Sequence, residues 1–152
     1  MELNRDNRTG DFRNLRIIFF AMLAGQLLFA AVTYFLVSTD GGLGQAEFLG
    51  GDVVPYLALY IFVMVGGAYY LDRTRANNAA RRKYPNYRAA MNSYRTTVII
   101  RSAIVEAAVL LTLIVALLTG NLTVLLIALV GSAAFFLFRP SEEEFEARYG
   151  RV

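Results

Sequence analysis

Apolar residues in this chain come in four long blocks, not in short amphipathic stretches. The blocks cover residues 17–37, 53–71, 98–118 and 122–138, which is 21, 19, 21 and 17 residues. A helix rises about 1.5 Å per residue, so about 20 residues cross roughly 30 Å of hydrocarbon. Water is absent there, so each block must satisfy its own amides, as only a helix does in a single segment. The pattern predicts an all-α polytopic membrane protein, with four transmembrane helices in an antiparallel bundle and one membrane domain over residues 1–152. The first block is too long for a cleavable leader and no small-x-small site follows it, so it reads as a retained anchor.

The polar segments between the blocks differ sharply in sign. Arg5, Arg8, Arg13 and Arg16 precede the first block; Arg73, Arg75, Arg81, Arg82, Lys83, Arg88 and Arg95 lie between the second and third; Arg139, Arg148 and Arg151 follow the fourth. The 38–52 loop and the Thr119-Gly120-Asn121 turn contain no Lys or Arg. Basic residues stay on the cytoplasmic side during insertion, which predicts cytoplasmic N and C termini. The 38–52 loop, rich in glycine and acidic residues, reads as a flexible outer link with a short interfacial turn at Phe48 and Leu49.

Within the 72–97 segment, Tyr87, Met91, Tyr94 and Val98 recur at helical spacing, and Pro85 suits a first turn. Helix three is therefore expected to start near Pro85, and helix two to extend through 76–82. Together they make a basic cytoplasmic helical hairpin. Its charges set topology and attract anionic lipid headgroups, or they dock a partner; Arg81, Arg82, Lys83, Arg88, Arg95 and Arg101 form the candidate interfacial set. Beyond the fourth block, Ser141 and Glu144 have capping-box spacing, predicting a short acidic tail helix over 141–149 that Gly150 ends. It reads as a cytoplasmic cap, and its carboxylates have the basic hairpin within reach.

Composition narrows the chemistry. The chain has no Cys and no His, which excludes disulfides, histidine-ligated metals or haem, and a Ser-His triad. No metal, cofactor or catalytic residue is expected, and no glycine loop of nucleotide-binding type appears. Topology already accounts for the basic residues, so nucleic acid is not an expected partner.

Two ionisable residues interrupt the third block. Arg101 lies near its cytoplasmic end, where a long side chain can snorkel to the headgroups. Glu106 is too deep for that, about 12 Å in, and a carboxylate there costs on the order of 2.5–3.5 kcal/mol. Gln26, Tyr60 and Ser132 fall at similar depths on the other helices, with Gly25, Gly66, Gly67 and Gly131 small enough to allow close approach. Glu106, Gln26, Tyr60 and Ser132 are thus a candidate polar layer. It is either structural, with Glu106 hydrogen-bonded to Gln26, or a proton or cation site. A lipid-facing or subunit-facing Glu106 is the third option.

The stretch from Arg95 through Ile99-Ile100-Arg101-Ser102 and Glu106-Ala107 to Leu118 resembles the carboxylate-bearing helix of the proteolipid (c) subunits of rotary ATP synthases. Pro85, Arg95 and Glu106 match the family's loop proline, loop arginine and ion-carrying carboxylate, over about a fifth of the chain. The resemblance implies a reversible cation-binding role for Glu106. The whole chain also resembles small, uncharacterised four-helix proteins of the bacterial inner membrane, through Ala24-Gly25-Gln26-Leu27-Leu28-Phe29, Leu117-Leu118-Thr119-Gly120-Asn121 and Arg139-Pro140. That likeness implies a location but no activity. Two functional classes remain: a non-catalytic subunit or scaffold of a membrane complex, or a homo-oligomeric proton- or cation-handling protein.

Overall fold

A computed structural model describes residues 3–40, 53–81 and 84–149, with side chains placed over 10–39, 53–79 and 84–149. The expected turn at Phe48 and Leu49, together with Arg82, Lys83 and Gly150, lies outside the described residues, as does the side chain of Arg81. Every element among those described is helical: α1 (Leu3–Asp40), α2 (Val54–Arg81), α3 (Tyr87–Thr119), α4 (Leu122–Phe135) with a 3-10 turn at Phe136–Phe138, and α5 (Glu142–Tyr149).

Helices α1, α2 and α3 are each long and apolar enough to cross a membrane. The fourth block meets that standard only together with α5, to which Leu122–Phe138 is joined at a 58° bend. The cause of the bend is Pro140, which forces Arg139 out of the helical region (φ −58°, ψ 126°). Large apolar side chains such as Leu28, Phe62, Tyr70 and Leu137 stand exposed around the helices. In water such a surface would drive aggregation; hydrocarbon accepts it.

Sequence chemistry explains the ends. Asn86 caps α3 by accepting the Ala89 amide at 2.9 Å, so Pro85 sits just before the cap instead of in the first turn. Gly120 closes α3 with φ 64°, a conformation glycine adopts without strain, and Asn121 at once caps α4 through the Thr123 amide at 2.8 Å. Helix α1 begins well before the apolar block. Its added turns are anchored by Phe12 and Leu15, which are buried with Met91 and Tyr94 of α3 and Phe145 and Tyr149 of α5.

Two cores result. The larger lies among the apolar blocks, with Phe19 stacked on Phe135 at 4.5 Å and Ala68, Ala108, Ala116 and Ala128 letting helices approach. Gly131 belongs here for a steric reason: a Cβ on it would meet Ile61 Cδ1 and Val109 Cγ2 at 3.0 Å. The smaller core is aromatic and holds α5 in place. Phe145 meets Tyr94 at 5.4 Å and Phe12 at 5.7 Å, and Tyr94 meets Tyr149 at 5.5 Å.

Candidate functional site: a buried charge cluster and an unpaired carboxylate

Between the two cores lies a group of charges drawn from three helices. Arg101 of α3 is only 2% exposed and does not reach outward. Its Nη1 donates to Asp72 Oδ1 of α2 and to Glu144 Oε1 of α5, both at 2.6 Å. Its Nη2 donates to Glu144 Oε2 at 2.9 Å and to the Phe138 carbonyl at 3.0 Å. Arg148 closes the group from α5, giving Nη1 hydrogen bonds to Asp72 Oδ2 at 2.6 Å and Glu144 Oε1 at 2.8 Å. The cluster is thus two guanidiniums against two carboxylates, with no net charge. A buried charge is tolerable only when paired and hydrogen-bonded in this way.

Tyr94 completes the arrangement. Its hydroxyl lies 3.0 Å from Glu144 Oε2 and 3.1 Å from the Ser141 carbonyl, the two acceptors for its proton, and accepts the Ser141 amide at 3.1 Å. The expected capping box is therefore half formed. Ser141 Oγ accepts the Glu144 amide at 3.1 Å, but the Glu144 carboxylate turns inward to Arg101 and Tyr94 takes over the Ser141 amide. Burial alone would lower the Arg148 pKa; the hydrogen bond and charge of Asp72, with the charge of Glu144, outweigh it and raise the pKa. Burial pushes the Tyr149 hydroxyl pKa up, so it remains a proton donor.

This corrects the expectation for Arg101. It does not snorkel to headgroups, because Asp72 and Glu144 offer two carboxylates at hydrogen-bonding distance inside the fold. Sequence reasoning passed over Asp72, and it gave Glu144 a capping role and a reach toward the basic hairpin but no contact with Arg101. The available signal was Asp72 itself, a carboxylate directly at the end of an apolar block, as Arg101 is a cation just inside another. Within the interfacial set, Arg88 is exposed, whereas Arg95 is half-buried and donates to Asp11 of α1 at 3.1 Å.

Glu106 is placed quite differently. It is half-buried on α3 and has no hydrogen bond or ion pair among the described residues. Eleven residues separate it from Arg95, about three turns, so both lie on the flank of α3 that looks toward α1. Five residues separate it from Arg101, about 140° around the helix, so the cluster's cations point elsewhere. The expected hydrogen-bonded polar layer does not form. Gln26 is fully buried, yet neither its amide nitrogen nor its oxygen has a partner among the described residues. Ser132 donates to the Ala128 carbonyl of its own helix at 3.1 Å, and Tyr60 is half-buried against the larger core. A short hydroxyl finds its nearest acceptor one turn back, which is why Ser132 stays local.

No group of three or more acidic side chains that could hold a metal occurs among the described residues. The chain matches no protein-family model, no curated protein and no solved structure.

Proposed function

We propose that this chain is a non-catalytic subunit of a membrane assembly, held in the bilayer by four antiparallel helices with both termini cytoplasmic. The single observation behind this reading is Glu106: a half-exposed carboxylate in an apolar span, with no hydrogen bond or ion pair among the described residues. Facing lipid, it would cost on the order of 2.5–3.5 kcal/mol. A polar group or cation on a neighbouring chain removes that cost, which makes the α1–α3 flank the contact surface. The topology rests on the fourteen basic residues that all fall in the termini and the 72–97 segment, with none in the other two connections. The bacterial inner membrane is the proposed location, by resemblance.

The test is affinity purification of the tagged, intact chain from membranes in mild detergent, comparing wild type with Glu106→Leu and Glu106→Gln. Wild type is expected in a larger complex, released by the Leu variant while the monomer stays folded. A wild-type chain that elutes alone and partner-free from native membranes would sink the proposal.

A second reading, a homo-oligomeric protein that handles protons or cations through Glu106, is favoured by the unpaired buried amide of Gln26. Its signature would be proton or sodium flux into liposomes carrying the purified chain, abolished by Glu106→Gln.

A further inference from the structure

On the hairpin side of the charge cluster, a cavity of about 290 Å³ opens between α2, α3 and α5. Arg75, Asn78, Tyr84, Ser93, Thr97 and Tyr149 line it, and no carboxylate lines it among the described residues. Thr97 and Tyr149 are 3% and 2% exposed, so the floor is fixed by the fold.

The hydrogen bonds within this wall leave a surplus of donors. Thr97 Oγ donates to the Ser93 carbonyl at 3.0 Å, so the 3.2 Å contact between Thr97 and Tyr149 uses the Tyr149 proton. The Tyr84 hydroxyl donates to Ser93 Oγ at 3.1 Å, which leaves the Ser93 proton to turn into the cavity. The Asn78 amide and the Arg75 guanidinium add further N–H groups. Asp72, one turn before Arg75, turns its two oxygens to Arg101 and Arg148 and makes no ion pair with Arg75. Arg75 has no carboxylate partner among the described residues.

An uncompensated guanidinium, an amide and a hydroxyl around one polar cavity suit a ligand that only accepts hydrogen bonds and carries negative charge. We propose that this cavity binds a phosphate oxyanion, supplied by an anionic lipid headgroup or by free phosphate, with Arg75 as the principal ligand and Ser93 and Asn78 as supporting donors. The volume admits a phosphate with part of its glycerol. In the topology proposed above, Arg75 lies about 6 Å beyond the end of its apolar block and Thr97 at the edge of its own, which is headgroup depth. The site makes no use of Glu106 and stands or falls separately from the assembly reading.

The experiment uses the intact chain in detergent and in nanodiscs. One arm offers phosphatidylglycerol against phosphatidylcholine, with retained lipid counted by native mass spectrometry; the other titrates inorganic phosphate. Arg75→Gln is expected to weaken binding about tenfold and Ser93→Ala by a smaller factor. Arg139→Gln removes an exposed charge of the same sign outside the cavity and should leave affinity unchanged. Selective retention of phosphatidylglycerol that depends on Arg75 supports a headgroup source; equal Arg75 dependence for inorganic phosphate supports a soluble one. Ser93→Ala carries the test if Arg75→Gln fails to fold. Binding of neither probe, or equal losses in Arg75→Gln and Arg139→Gln, would overturn the site and leave a diffuse basic face.

Discussion

Arg101 and Glu106 stand five residues apart on one helix, and the fold treats them in opposite ways. Arg101 is enclosed by a carboxylate from α2, another from α5 and a main-chain carbonyl. Glu106, a turn and a half further on, meets no partner among the described residues. Burial of a charge is therefore no guide to its role until its neighbours are known. The first residue holds three helices together; the second has no partner among the described residues, and the proposed assembly contact rests on that.

The sharpest way to break this contrast is to remove the centre of the cluster. Arg101→Ala leaves Asp72 and Glu144 buried with only Arg148, and should cost about 3–5 kcal/mol in denaturant unfolding followed by circular dichroism in detergent. A loss under about 1 kcal/mol would mean that water already screens the group. Asp72→Ala should be less severe, because Glu144 still pairs with Arg101. A double-mutant cycle of the two substitutions is expected to give a coupling of about 0.5–3 kcal/mol. Tyr94→Phe removes one hydroxyl that bridges Glu144 and Ser141. It should cost about 1–2 kcal/mol and loosen α5 first, seen as faster amide exchange over 142–149. At the bottom of the scale, Glu106→Gln should change monomer stability by less than about 0.5 kcal/mol, the range for a side chain that touches no partner. A large change there would erase the distinction between the two residues.

The cavity beside Arg75 fits the same comparison. Asp72 is paired with Arg101 and Arg148 inside the cluster and makes no ion pair with Arg75 on the next turn of α2. Arg75 is then a second unspent charge, at the opposite end of the depth scale from Glu106.

Much of the architecture was legible along the chain. Long apolar blocks identify helices through the hydrogen-bonding needs of the backbone, which hold whatever the neighbours are. The Thr-Gly-Asn turn, the Pro140 break and the Ser141 cap were likewise local, each decided within about four residues. The early start of α1 was not, because its first turns are polar and are held by Asp11, Phe12 and Leu15 against α3 and α5.

What the sequence determined by itself was the set of helices, their ends apart from the start of α1, and the distribution of charge between connections. The tertiary structure alone decided which charges meet. Asp72, Arg101 and Glu144 are 29 and 43 residues apart along the chain, and no periodicity links such positions. Helix rotation chose Asp72 over the headgroups for Arg101 and denied Gln26 to Glu106, because facing pairs depend on how whole helices pack, and that is settled by many weak apolar contacts at once.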